Sequence, residues 1–227
     1  MKRIAVIIYG PPGSGKSTQA DLVATAFGLI RFDTGKYIAG EIYDPKNVHD
    51  EVVMRQKSLY EQGLLCERPW VFNIVQTHLK KIIDAEYGVV LSGSPRSVYE
   101  AFDEGGRRGE LSTMFAGYGK ENVFIFVLNV RPEASTFRNQ NRKMCPVCVR
   151  QYMFQKDCVL ALCPFCGAQL SVRKDDRPEI IAERLREYQR EVVPVIAGIK
   201  ERGYPLYEIN GERQPYEVFA DIKQWLS

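Results

Sequence analysis

The run Gly10-Pro11-Pro12-Gly13-Ser14-Gly15-Lys16-Ser17 places glycine, lysine and a hydroxyl at the spacing G-x-x-x-x-G-K-[ST]. Glycines let successive backbone N–H groups turn inward around anionic oxygens. A helix beginning at the lysine adds unsatisfied N–H donors and the positive end of its dipole. The chemistry is the holding of a polyphosphate. Gly13, Ser14 and Gly15 supply the backbone cradle, and Lys16 is a mobile charge for the outer phosphates. Ser17 is placed to touch an accompanying magnesium ion, and Thr18 follows it into the helix. Without a strand before it and a helix after it, the same string is an ordinary glycine turn.

Cys145-Pro146-Val147-Cys148 and Cys163-Pro164-Phe165-Cys166 are two C-x-x-C knuckles. Each sets two thiolates one tetrahedral edge apart. Cys145, Cys148, Cys163 and Cys166 together would close a four-thiolate zinc site with no open position, which makes it structural. A segment this short cannot bury enough apolar area alone, so a metal staple suits it. Two disulfides would suit a secreted chain, and an iron–sulfur cluster lacks the supporting spacing. A nucleic-acid-binding zinc ribbon also remains, since Arg150, Tyr152, Phe154, Lys156 and Phe165 lie in the segment. Cys158 and Cys66 read as spares, Cys66 packing as a small apolar residue.

Arginines follow the same landmarks. Arg96 stands after an apolar strand, and Arg138 and Arg142 are one helical turn apart before the first knuckle. Arg173 follows the second knuckle, and Arg184 lies on the next helix. Planar guanidinium forks match the charge that spreads over a transferring phosphoryl group.

These residues need elements to position them. Ile4–Tyr9 is an unbroken apolar, β-branched run, the pattern of a strand buried on both faces. Helical periodicity runs from Lys16 to about Ala26. Ile30–Phe32, Val89–Leu91, Val123–Asn129 and Tyr207–Ile209 read as further strands. The text from Gly35 to about Lys81 is mostly helical, with breaks at Asp44-Pro45 and at Cys66 to Pro69. Glu179 to about Lys200 and Pro215–Leu226 are the closing helices. Strands alternating with helices predict an α/β fold: a five-stranded parallel sheet with helices on both faces. In such sheets ligands lie at the carboxyl ends of the strands, where the phosphate loop and the strand-end arginines fall.

The 227 residues suit one domain with an inserted piece. With 45% hydrophobic residues a sizeable core is within reach. The 31 basic and 28 acidic side chains leave a net charge of +3, too balanced for a general nucleic-acid or membrane-surface binder. No apolar run approaches the roughly 18 residues of a membrane helix, and the N-terminus lacks the pattern of a signal peptide. The expectation is a cytoplasmic protein, which directs the four knuckle cysteines of the six towards metal rather than disulfides.

From Arg3 to Leu226 the landmarks resemble, in order, those of the adenylate kinase family: the phosphate loop through Ala20, Asp33-Thr34-Gly35, Gly63-Leu64-Leu65, Gly93-Ser94-Pro95-Arg96, Arg138-x-x-x-Arg142, the cysteine lid, Arg173-Lys174-Asp175-Asp176 with Arg184-Leu185, and Asn210-Gly211. The resemblance implies a three-layer phosphate-loop fold in which residues 1–33, 77–142 and 175–227 form the core. Residues 34–76 form a helical monophosphate-binding arm, and 143–174 a zinc-stabilised lid. It implies reversible transfer from ATP to AMP giving two ADP, with magnesium, by a monomer without nucleic-acid or membrane partners. Lys16 and Arg142 would then hold the ATP phosphates and Arg138 lie against the adenine. Arg96, Arg173 and Arg184 would bind the acceptor and transferring phosphates. Thr34, Gly35, Leu65, Cys66 and Gly93 would line the AMP site, and Asp175 and Asp176 the lid hinge.

The chain departs from the family at four positions of the monophosphate side. Ala39 stands where an arginine is usual, leaving Lys36 or Arg55 to replace it. Ser92 replaces the aspartate that steadies magnesium through water, and Ser94 replaces a phenylalanine. Glu100 matches the glutamine that reads the AMP base. A carboxylate only accepts hydrogen bonds, so Glu100 suits the N1–H and N2–H of guanine better than the N1 edge of adenine. Relaxed or altered base selectivity is one expectation. The other is that Glu100 points to solvent from an exposed helix start and leaves the base to a neighbour.

Overall fold

The computed structural model describes residues 2–62, 64–148, 150–152, 160–172 and 177–226. Gly63, Cys158, Arg173, Asp175 and Asp176, singled out above, lie outside them. Strand β1 (Ala5–Tyr9) is buried at every position. Burying a valine or isoleucine side chain fully contributes about 1.5–3 kcal/mol, so this strand takes the centre of the sheet. It pairs in parallel with β3 (Val89–Ser92) on one side and β4 (Val123–Asn129) on the other. Outside these lie β2 (Ile30–Phe32) and β7 (Leu206–Asn210), giving the order β2-β3-β1-β4-β7. The expected five-stranded parallel sheet is present, and its order makes the carboxyl end of β1 the point where connections diverge to either side.

Two cores flank the sheet. On one face Ala20 and Val23 of α1 (Lys16–Phe27) meet Val218, Ile222 and Leu226 of α10 (Pro215–Leu226). On the other, α4 (Arg68–Asp84), α6 (Glu110–Tyr118) and α9 (Val193–Glu201) contribute Leu79, Met114 and Ile199. Helices α2 (Thr34–Tyr43) and α3 (Glu51–Glu61), with a 3-10 turn at Pro45–Asn47, precede α4. The helix expected from Glu179 to Lys200 is present as one unbroken run: α8 (Pro178–Glu187), a π-helical turn over Tyr188–Val192, and α9. Pro194 has no N–H for the ladder, and the helix widens just before it.

Short helix α5 (Val98–Ala101) follows β3, and α7 (Pro132–Asn141) follows β4. After α7 the chain forms a two-stranded antiparallel ribbon, β5 (Lys143–Met144) with β6 (Gln151–Tyr152). Its small core is Cys145, Cys163 and Leu170. Among the described residues no helix is long and apolar enough to cross a membrane.

Candidate active site

The phosphate loop joins β1 to α1. Gly13 has φ +78°, and a Cβ there would stand 2.5 Å from Asn139 Nδ2 and 2.7 Å from the Ser135 carbonyl oxygen. Only glycine tolerates both the left-handed backbone and that approach. The close neighbour is α7. Its Ser135 hydroxyl donates to the Pro12 carbonyl, and Asn139 Nδ2 donates to the Ser135 carbonyl at 2.8 Å. Both side chains are fully buried. The sequence reading missed this bracing pair. Its signal was polar residues one helical turn apart on the helix that carries Arg138 and Arg142, interleaved with them.

Lys16 donates from Nζ to the Pro11 carbonyl at 3.0 Å. Burial, then the guanidiniums of Arg184, Arg96 and Arg142, lower its pKa to about 7. Four cations gathered from α1, the β3 loop, the end of α7 and α8 thus act on one point. This is an electropositive hole prepared for anionic oxygens. Arg142 is itself buried at 8% exposure. Ser14 is buried behind the loop, Ser17 is half-buried and Thr18 exposed.

Arg138 is held apart from this group. Its guanidinium donates to the carbonyls of Gly211 at 2.6 Å and Glu212 at 2.9 Å. Glu212 in turn accepts a bidentate pair from Arg131, with nitrogen–oxygen distances of 2.9 and 2.8 Å. Arg131 therefore fixes the loop on which Arg138 rests, a link the sequence reading did not make. Gln19 ties α1 to the same end, donating to the Pro215 carbonyl at 2.9 Å.

On the other side of the crevice, Asp33 caps α2 by accepting from Gly35 N–H at 3.1 Å and Lys36 N–H at 3.4 Å. This sets Thr34 and Gly35 at the helix start. Leu65 and Cys66 lie on the connector from α3 to α4, and Leu65 is 67% exposed. Buried Gln56 staples that connector: its Oε1 accepts from Glu67 N–H at 2.8 Å, and its carbonyl faces Cys66 Sγ at 3.7 Å. Cys66 is only partly covered rather than packed in a core. Of the candidates to replace an arginine at Ala39, Arg55 is paired with Glu67 at 2.7 Å and Lys36 is exposed.

The β3 loop holds further departures from expectation. Ser92 Oγ accepts from Arg31 Nη2 at 2.8 Å, and Arg31 also pairs with Asp21 at 2.9 Å. Gly93 has φ +69°, and a Cβ there would meet Lys16 Cε at 3.5 Å. Glu100 does not sit on an exposed helix start: it is 7% exposed, and its Oε2 accepts the Arg96 N–H at 2.6 Å. Glu110, fully buried, accepts from the Ser94 hydroxyl at 3.2 Å. Burial first, then the neighbouring Glu100 carboxylate, raise its pKa well above the carboxylate range.

The four knuckle cysteines converge. Their sulfur atoms all lie within 4.8 Å of one another, with Cys145–Cys166 at 3.3 Å and Cys148–Cys163 at 3.5 Å. A tetrahedral zinc with Zn–S bonds of about 2.3 Å has sulfur–sulfur edges of about 3.8 Å; the two short pairs fall a few tenths of an ångström under this, and every pair lies within 4.8 Å. Burial opposes ionisation of Cys163, but the Tyr152 hydroxyl and the N–H groups of Cys166 and Phe165 outweigh it and hold the thiol down at about 6. The donor set fits zinc in chemistry and spacing. Of the side chains considered for a nucleic-acid surface, Tyr152 is bonded to Cys163 Sγ at 3.0 Å and Arg150 stacks 3.5 Å over the Phe165 ring. Phe154 and Lys156 lie outside the described residues.

A family model described as adenylate kinase matches residues 8–204. The adenylate kinase of Caldanaerobacter subterraneus subsp. tengcongensis is 31% identical over 223 residues, covering 97% of this chain and 95% of the relative. That of Kosmotoga olearia is 31% identical over 224 residues, covering 96% and 98%. That of Pelobacter propionicus is 32% identical over 223 residues, covering 97% and 96%. Matched almost end to end by these relatives, with a phosphate loop at the switch point of a parallel sheet and arginines converging on its lysine, the chain belongs to the adenylate kinase family.

Proposed function

We propose that the protein transfers the terminal phosphoryl group of ATP reversibly to AMP, giving two ADP. The observation that carries this is the convergence on Lys16 of Arg96, Arg142 and Arg184 from separate elements. Lys16 and Arg142 hold the ATP phosphates, with the N–H groups of Gly13, Ser14 and Gly15 around them and Ser17 and Thr18 at the helix start. Arg138, held by its edge to the Gly211 and Glu212 carbonyls, offers its planar face to the adenine. Arg96 receives the AMP phosphate, and Arg184 with Arg173 spans the group in transit. An AMP phosphate oxygen attacks the γ-phosphorus as the bond to the β–γ bridging oxygen breaks, and ADP leaves with that electron pair. The attacking phosphate is already anionic, so no general base is needed and catalysis is positioning plus charge stabilisation.

Magnesium bound with ATP supplies further charge neutralisation at the phosphates. Ser17 would hold it, while Ser92, committed to Arg31, offers no carboxylate beside it. A cation that keeps several waters and takes phosphate oxygens fits a single protein hydroxyl. In the lid, Cys145, Cys148, Cys163 and Cys166 hold structural zinc. This suits a reducing, cytoplasmic setting and supports a lid over 143–174 that closes on ATP while the arm over 34–76 closes on the monophosphate. The stacking of Arg150 and the bonding of Tyr152 support a lid rather than a nucleic-acid ribbon.

Glu100 carries the question of base choice. Its Oε2 already accepts from the Arg96 backbone, which supports AMP as the preferred acceptor rather than a guanine nucleotide. The test is a coupled assay with ATP and AMP, GMP, CMP or UMP at equal concentration. AMP is expected to be phosphorylated fastest. GMP turned over as fast as AMP would establish the alternative, a kinase of altered base selectivity.

A further inference from the structure

Around Arg96 the chain is anchored from behind. Ser94, Pro95 and Ser97 are buried and Arg96 alone among these four is exposed. Ser97 caps α5, accepting from Glu100 N–H at 3.3 Å. In the usual capping box the third helical residue reaches back to the N–H of the capping residue. Here Glu100 reaches one residue further, to Arg96 N–H at 2.6 Å. The second anchor comes from α6. Gly109 precedes that helix so closely that a Cβ would lie 2.4 Å from the Ala101 carbonyl and 2.5 Å from the Phe102 carbonyl carbon. This approach brings Glu110, the first residue of α6, under the loop, where its Oε2 takes the Ser94 hydroxyl. Its Oε1 and the hydroxyl of Tyr9, both buried, make no hydrogen bond. Such a carboxyl is strongly disfavoured as an anion. Arg107, clamped over the rings of Tyr99 and Phe72 at 4.0 and 4.6 Å, closes the same region.

We propose that Glu110, acting through Ser94 and together with Glu100, is a positioning residue for the acceptor: it fixes the Gly93–Arg96 loop so that Arg96 stands ready for the monophosphate phosphate. Glu110 touches neither nucleotide. The arrangement explains why Ser94, an unusual residue here by resemblance, carries a hydroxyl, and it gives Glu100 a task other than reading the base. The inference rests on Arg96 binding the monophosphate, as the functional reading holds.

The test is steady-state kinetics of Ser94→Ala, Glu110→Ala and Glu110→Gln beside wild type, varying AMP at saturating ATP and then the reverse. Loss of one buried hydrogen bond predicts a KM for AMP raised about tenfold in Ser94→Ala and Glu110→Ala, with the KM for ATP within about twofold. Glu110→Gln, which keeps the acceptor and carries no charge, returns most of the loss. An unchanged KM for AMP in both truncations, an equal rise in the KM for ATP, or a Glu110→Gln as impaired as Glu110→Ala would each overturn the proposal. If Glu110→Ala does not fold, Ser94→Ala decides, since it removes a single oxygen. Wild-type protein that forms no ADP from ATP and AMP would refute the functional reading itself, a separate outcome.

Discussion

Lys16 is half-buried among guanidiniums before any phosphate arrives. Its ammonium is destabilised by that burial and by Arg184, Arg96 and Arg142, and it loses its proton at about 7 instead of 10.5. A polyphosphate reverses the balance, because the bound anion favours the charged form. The sign follows directly. Above pH 7 the unliganded lysine is largely neutral and the liganded one charged, so binding takes up a proton and ATP affinity falls as pH rises through that window. Calorimetric titration of ATP at pH 8, in buffers of different ionisation enthalpy, should show net proton uptake. Replacing Lys16 by methionine should abolish it. Uptake that persists in the variant would place the titration elsewhere.

At the scale of elements, the proposed lid would depend on a metal where the core depends on burial. The core faces carry large apolar sets from several helices. Among the described residues of this segment the buried set is Cys145, Cys163 and Leu170, a small set that suits a staple. Cys163 is the most constrained ligand, buried and bonded by the Tyr152 hydroxyl. Cys163→Ser should lose the zinc measured per chain and lower the melting temperature by roughly several degrees. Zinc stoichiometry equal to wild type would refute the four-thiolate site. The same scale separates what could be read in advance from what could not. The phosphate loop, both knuckles, β2, β4 and α10 are local patterns whose meaning lies within a dozen residues, and they were legible. Ser135 acts on Pro12 across the fold and Glu110 on Ser94 beneath the β3 loop, partners that the topology brings near and no local spacing marks. Glu100 was misjudged for the same reason: its position at a helix start suggested exposure, but the docking of α6 closes over it. The helix expected over residues 179–200 is present, widened by a π turn just before Pro194, whose missing N–H the ladder must accommodate.

At the scale of the whole molecule, the sheet order gathers the site. Because β1 lies between β3 and β4, the phosphate loop emerges between the loop bearing Arg96 and the helix that bears Arg138 and is capped at its C-terminal end by Arg142. On the proposed division, the same order would let the arm extend from the β2 side and the lid from the far end of α7. The net charge of +3 is an average over this arrangement: cations converge on one crevice while acidic residues such as Glu212 and Glu208 pair elsewhere. On the proposed function, this crevice joins two nucleotides and passes a phosphoryl group between them instead of to water. The direct measurement is the nucleotide balance, by chromatography or phosphorus NMR, of wild-type protein incubated with ATP, AMP and magnesium. Two ADP formed for each AMP consumed, with no inorganic phosphate, is the predicted result. ADP and inorganic phosphate accumulating while AMP stays constant would contradict it, making the protein a hydrolytic phosphate-loop switch.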